Sequence, residues 1–495
     1  MTRTATWDSA LVLGGGYAGL LAARVLAGHV RRVTVLEQDT APGAAARPGV
    51  PQAHHPHALL ARGAEQLEEF FPGIRAELRS RGCPVGDFAQ AGRILFPTGW
   101  APREPVGVEV QLMARTVLEQ AVRERVGALD AVTVRDGVRV ERVLLGDQGE
   151  GIGVVVRPRR PAAAGGAAAG GTEAGGTEAG GAGEGNAEVG GTEAGGAGAE
   201  TVLRADLVVD ATGRGSRLPR WLTEAGHRLP ESLVVDAKAS YASRLYTLKE
   251  DPDRDWNSSY QPTMAPSVPR GAVAVRIGPT QWLLGLLGAA GNTPPDDDEG
   301  FRAYAAALRN PDFLRLIDEG EPEGAIHRTH TTANRWHRYH RVPNWPDRLI
   351  ALGDSVCAFN PIYGQGMTVA ALQSRLLDSQ LTRRAGSGRL DGLGPAFQRG
   401  AAALVRGPWL LSTATDRAWQ DTAVPLTSRV ATGYLAAITA RLPHHPGLYR
   451  RFVRTLQMLD HPASLASPGT LAQLASIPSV TRHQSSCTCP TVTPW

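Results

Sequence analysis

Two glycine-rich turns carry the residues best suited to hold a ligand by its phosphates and hydroxyls. The first, Gly14-Gly15-Gly16-Tyr17-Ala18-Gly19, has the spacing Gly-x-Gly-x-x-Gly. It follows an apolar run from Ala10 to Leu13 and precedes a helical pattern from Tyr17 to Ala27, with a second strand pattern from Arg32 to Glu37. In that setting Gly14 permits the tight turn, Gly16 lets the backbone approach a pyrophosphate, and Gly19 lets helix and strand pack closely. The unpaired N–H groups and positive dipole of the helix start attract the phosphate. Glu37, with Gln38 beside it, ends the second strand, where a carboxylate can accept hydrogen bonds from a ribose.

The second turn lies far along the chain. The apolar strand pattern Leu349 to Leu352 ends in Gly353-Asp354, and Asn360-Pro361-Ile362-Tyr363-Gly364-Gln365-Gly366-Met367 leads into another helix. Pro361, Gly364 and Gly366 expose backbone N–H groups there, with Gln365 and Met367 in the same turn, and Asp354 can bind sugar-like hydroxyls. A plain strand, turn and helix would read the same way. One dinucleotide with a long polyol chain accounts for both turns, which favours FAD over NAD.

With these residues in view, the chain resembles the flavin monooxygenases of the para-hydroxybenzoate hydroxylase fold, and among them the polyether polyene epoxidases of the monensin and lasalocid type. The shared features are the opening glycine motif; Arg47-Pro48-Gly49-Val50-Pro51-Gln52 with His55 and His57; Arg115 on a helix; Val208 to Ser216; Asn334-Arg335; and Gly353 to Met367. The resemblance implies that Arg47, Gln52, Arg115, Val140, Asp210, Thr212 and Gly213 lie near FAD, and that Asp354 holds its ribityl or pyrophosphate region. It also implies the chemistry, in which a C4a-hydroperoxide formed from reduced FAD and O2 passes its distal oxygen to an alkene. No indispensable acid-base side chain is expected in that case, so no catalytic residue is assigned.

The side chains fit these roles on their own terms. Arg115 can bind a pyrophosphate bidentately, as a lysine could not, although a solvated helix arginine is the alternative. Asp210 can equally cap the turn before Gly213. His55 and His57 suggest a metal, but the Pro-interrupted loop is poor ligand geometry, and packing or contact with flavin or substrate is the better reading. Tyr241, Arg244 and Tyr246 are the candidates for lining a substrate pocket, with ordinary strand residues as the alternative.

Electrons must come from NADPH visiting transiently or from a partner flavin reductase, because no second Gly-x-Gly-x-x-Gly stands in a strand-helix context. Aromatic or indole oxygenation is the nearest rival activity. Isoprenoid double-bond reduction is another, and it would need no O2. Halogenation is disfavoured, since the Trp-x-Trp-x-Ile-Pro signature is absent and no lysine precedes Lys238.

The elements that must position these residues point to an α/β fold. A Rossmann-like FAD-binding domain is expected from 1–80, 103–231 and 343–385, with a disordered Gly-rich loop at 161–200. That loop, where Thr-Glu-Ala-Gly-Gly recurs, is read as an expanded hairpin connection between Ile152 to Arg157 and Val202 to Asp210. A sheet-rich substrate domain is expected from 81–102 and 232–342, with strands at Leu233 to Asp236, Ala272 to Ile277 and Trp282 to Leu287. C-terminal helices should fill 386–470, followed by a loose tail at 471–495.

Composition excludes several other classes. The 495 residues are 42% hydrophobic and 20% charged, ordinary for a globular protein of two or three domains. With 52 basic against 48 acidic residues the net charge is +4, and no long run of like charge supports nucleic-acid binding. Cys83, Cys357, Cys487 and Cys489 form no CxxC pair, so reduced thiols in a cytoplasmic protein are expected. The apolar stretch from Leu11 to Ala27 is interrupted by glycines and Arg24, and nothing else approaches the ~20 apolar residues of a membrane span.

Overall fold

The computed structural model describes residues 5–40, 55–56, 59–145, 151–159, 200–251, 253–420 and 426–475. The first turn sits in a five-stranded, all-parallel sheet. Its order is Leu349–Ala351, Leu207–Asp210, Trp7–Leu13, Val30–Leu36, Val132–Arg135. Strands covered on both faces read as continuous apolar runs, as Leu11-Val12-Leu13 and Leu207-Val208-Val209 do.

The Tyr17–Leu26 helix follows the first strand directly and buries Leu20, Leu21, Ala22 and Leu26 completely. Burial of each such leucine contributes about 2 kcal/mol. The approach requires Gly19, because a Cβ there would stand 1.9 Å from the Gly14 carbonyl oxygen. Gly14 itself has φ of +96°, open to glycine and strained for other residues.

The expected hairpin is present, since Ile152–Pro158 pairs antiparallel with Thr201–Ala205. The Gly-rich loop falls outside the described residues. The run Val202 to Asp210 is two strands and not one: Thr201–Ala205 belongs to the hairpin sheet, and Leu207–Asp210 joins the parallel sheet. The break at Asp206 lets that carboxylate accept from the N–H groups of Asp8 and Ser9 at 2.9 and 3.1 Å.

A seven-stranded sheet forms the second layer. Its order is Glu321–Thr329, Ser240–Thr247, Gln281–Gly288, Arg270–Arg276, Ser258–Gln261, Gly92–Phe96, Gly99–Trp100. Alternation sends successive side chains to opposite faces. Ala242, Tyr246, Ala272, Ala274, Trp282 and Leu284 face a core closed by the Asp298–Ala306 and Asp312–Glu319 helices. The strand expected at Leu233 to Asp236 pairs elsewhere: Ser232–Val235 joins Asn334–His337 and Cys357–Ala358 in a separate small sheet.

The Gln365–Arg384 helix leaves the second turn and packs on the Tyr17–Leu26 helix. The Leu393–Arg417, Leu426–Thr439 and Pro446–Leu456 helices follow, and a short helix, Pro468–Ala475, extends into the region expected to be loose. No described helix is long and apolar enough to cross a membrane. Cys83 and Cys357 are buried and free.

Candidate active site

The two glycine turns open onto one cavity of about 880 Å³. Gly16 is the N-cap of the Tyr17–Leu26 helix and Gly364 that of the Gln365–Arg384 helix; neither has a side-chain cap, and both line the cavity. Two helix starts therefore direct uncapped N–H groups at a shared space, an arrangement that favours negative charge. The lining also holds five arginines, Arg115, Arg139, Arg214, Arg217 and Arg335, against three acids, Glu37, Asp39 and Asp354.

Glu37 is fixed from both oxygens: Oε2 accepts from the Gly15 N–H at 2.7 Å and Oε1 from the Asp39 N–H at 2.9 Å. Arg115 starts the Arg115–Gly127 helix and donates from Nε to Glu119 Oε1 at 2.7 Å. Asp354 stands at the end of the parallel sheet. Burial pushes its carboxyl up, and the nearby Arg214, Arg115 and Arg335 guanidinium groups oppose that.

Among the residues expected at the cofactor, Gly14, Gly16, Glu37, Gln38, Arg115, Val140, Thr212, Gly213, Asp354, Pro361, Gly364, Gly366 and Met367 line this cavity. Three others do not. Gly19 acts beneath the turn, in the helix-strand approach. Asp210 is fully buried and caps its own turn, accepting from the Thr212 N–H at 3.0 Å, Thr212 Oγ1 at 2.6 Å and Ser216 Oγ at 2.6 Å. Gln365 points into the interior, 1% exposed. Arg47, Gln52 and His57 lie outside the described residues.

A second cavity, of about 340 Å³, abuts the first, and Pro361 and Gly364 line both. One wall is the face of the seven-stranded sheet opposite its helices, where Ile94, Tyr241, Ser243, Tyr260 and Val273 project. The other comes from C-terminal helices, with Leu435, Ala436 and Phe452. Tyr241 thus lines a cavity as expected from its strand, whereas Arg244 and Tyr246 do not. Both have the opposite parity: Arg244 pairs with Asp298 at 2.7 Å, and Tyr246 packs in the helix-covered core.

His55 reaches the second cavity, its Nδ1 2.8 Å from Ser243 Oγ. Gly285, the cross-strand partner of Ser243, leaves room for the neighbouring Pro56, which a Cβ would meet at 3.1 Å. No group of three or more metal-ligating side chains occurs among the described residues.

Several residues escaped the sequence reading. Arg214 spans the junction of the sheets, donating to the Ala333 carbonyl at 2.6 Å and the Phe359 carbonyl at 2.8 Å, and Arg335 donates to the Arg214 carbonyl. The Nε atoms of both arginines are buried without a partner among the described residues. Asp416 is 2% exposed and accepts from Asn334 Nδ2 at 2.6 Å, Asn360 Nδ2 at 3.0 Å and Tyr363 Oη at 2.7 Å. Tyr241 Oη in turn donates to Asn360 Oδ1. Arg214, Asn334, Arg335, Asn360 and Tyr363 lie inside motifs already singled out; nothing in its local sequence marks Asp416.

Comparison with known proteins agrees with this geometry. The family described as an NAD(P)-binding Rossmann-like domain matches residues 12–71, the first turn and its helix. Over nearly its whole length the chain is 30% identical to protein Rv3254 of Mycobacterium tuberculosis, an alignment of 464 residues covering 92% of this chain and 90% of the relative. The chain belongs to the family of protein Rv3254.

Solved structures agree on the fold at low identity. The flavin-dependent brominase Bmp2 superposes with a TM-score of 0.60 at 14% identity, covering 95% of this chain and 97% of that one. A flavoprotein/dehydrogenase from Cytophaga hutchinsonii gives 0.62 at 14%, covering 94% and 99%. The p-nitrophenol 4-monooxygenase PnpA from Pseudomonas putida gives 0.56 at 16%, covering 93% and 100%. The member of the Rv3254 family described above thus has the FAD-binding fold shared by flavin-dependent monooxygenases and halogenases. The FAD that this fold implies fits the larger cavity, with two uncapped helix starts, a surplus of arginine and, among the described residues, buried guanidinium N–H groups without a partner.

Proposed function

We propose that this chain is a flavin-dependent monooxygenase that epoxidises a carbon-carbon double bond of a polyene, polyketide or terpenoid-type molecule. The observation that carries the reading is the shared wall: the Pro361–Gly364 turn borders both the cavity suited to FAD and the apolar cavity beside it.

In this reading Gly16 and the Tyr17–Leu26 helix start hold the pyrophosphate, Glu37 the ribose, Arg115 the phosphate charge, and Asp354 the polyol chain. Bound and reduced FAD supplies the electrons that activate O2. The Gln365–Arg384 helix start would stabilise negative charge on a reduced flavin bound there. The wall of Ile94, Val273, Leu435 and Phe452 excludes water and holds an apolar acceptor against the shared turn. No Arg, Lys, Asp or Glu lines the second cavity among the described residues, which suits a neutral alkene and leaves a charged group without a partner.

The test is mass spectrometry of products formed from candidate polyenes under 18-oxygen gas, with NADPH present and a flavin reductase added or omitted. One heavy oxygen in an epoxide supports the proposal, and dependence on the added reductase identifies the electron donor. Turnover that proceeds without O2, or a product that requires halide, contradicts it.

A further inference from the structure

The polar groups of the second cavity are unequally committed. Tyr241 Oη donates to Asn360 and Tyr363 Oη donates to Asp416. His55 and Ser243 pair with each other. Thr432 and Thr439 return their hydroxyl protons to carbonyls of the C-terminal helices, at 3.0 and 2.9 Å.

Tyr260 is the exception among the cavity's tyrosines. It lies on the Ser258–Gln261 strand, between Arg270–Arg276 and Gly92–Phe96, and shares the cavity-facing parity of Ser258. Its ring packs on the cluster of Ile94, Phe96 and Val106, and its hydroxyl makes no hydrogen bond to any described residue. Burial pushes the phenol up, so the hydroxyl keeps its proton. A proton donor with no acceptor among the described residues, in a cavity whose described lining carries no Arg, Lys, Asp or Glu, calls for an uncharged oxygen on the occupant.

We propose that the Tyr260 hydroxyl selects a neutral, apolar substrate carrying one hydroxyl or carbonyl oxygen, and by holding that oxygen sets which part of the molecule reaches the Pro361–Gly364 turn. This deepens the monooxygenase reading and rests on it for the identity of the reaction, though not for the binding itself. A site that hydrogen-bonds one oxygen discriminates more sharply than an apolar pocket, because a ligand lacking the oxygen leaves the buried group unpaired.

Three probes of similar shape separate the outcomes: 2-naphthol, naphthalene and 2-naphthoate, titrated calorimetrically into the FAD-loaded full chain and its Tyr260→Phe variant. The wild type is expected to bind 2-naphthol about tenfold more tightly than naphthalene and to show no binding of 2-naphthoate. Tyr260→Phe is expected to remove the preference for 2-naphthol while leaving naphthalene affinity unchanged. Persistence of the preference in the variant, stronger binding of 2-naphthoate, or failure of both neutral probes to bind would overturn the inference. Flavin absorbance recorded on the same samples keeps the two claims apart: intact FAD loading with the wrong probe preference defeats only the role of Tyr260, whereas correct preference in a chain that takes up no FAD defeats only the flavin reading.

Discussion

Asp416 Oδ1 accepts the phenolic proton of Tyr363 at 2.7 Å, tying the last turn of the Leu393–Arg417 helix to the turn that separates the two cavities. Its other oxygen takes Asn334 and Asn360. Burial raises this carboxyl to about 6, with the three hydrogen bonds opposing the rise. The folded protein therefore holds the proton more tightly than the unfolded chain, whose carboxyl titrates near 4. The group's contribution to stability is largest below about pH 4, falls as pH rises to about 6, and costs about 3 kcal/mol above that. Urea unfolding of wild type and Asp416→Asn from pH 4.5 to 7.5 checks the sign. The wild type is expected to lose stability relative to the variant as pH rises, and a difference constant with pH contradicts the assignment.

Gly19→Ala is expected to be severe. Its Cβ would stand 1.9 Å from the Gly14 carbonyl oxygen, backbone that cannot yield without moving the turn. A loss of about 3 kcal/mol is expected, against less than about 0.5 kcal/mol for Gly28→Ala, whose Cβ meets only the Val25 carbonyl oxygen at 3.4 Å. Thermal unfolding of the two variants, with FAD affinity measured alongside, checks the contrast.

Glu37→Ala leaves the Gly15 and Asp39 N–H groups without their carboxylate. Destabilisation of about 2 kcal/mol in the FAD-free chain is expected from that alone, with FAD affinity falling at least about tenfold because the ribose loses its acceptor. Fluorescence titration with FAD, set beside unfolding of the unloaded variant, separates the two effects.

Arg115→Lys keeps the charge and removes the fork. Its FAD affinity is expected to fall about tenfold with little change in unfolding, because the helix position tolerates either residue. Unchanged affinity would mean that Arg115 does not hold the phosphate.

The parts of the fold that follow from local rules were legible in the sequence. The strand, Gly14–Gly19 turn and helix form one contiguous piece, and the Gly-Asp and Asn-Pro turn before Gln365 is equally local. Sidedness was harder to read. Tyr241, Arg244 and Tyr246 lie on one strand, but only packing by the Asp298–Ala306 and Asp312–Glu319 helices decides which parity faces the open side. Asp210 shows the same limit, since a carboxylate at a strand end can meet a ligand or its own turn, and Thr212 and Ser216 claim it here. Asp416 meets Asn360 only because a distant helix returns to the second turn, a link that no local pattern encodes.

In the proposed function one FAD molecule bridges the two glycine turns while a neutral substrate lies across the shared wall. A crystal structure of the chain with FAD tests it most directly. The pyrophosphate is expected at the start of the Tyr17–Leu26 helix beside Glu37 and Arg115, and the flavin ring against Pro361 to Gly366, with the cavity lined by Tyr260 on its far side. FAD confined to one turn, or a ring that does not reach Gly364, would contradict it.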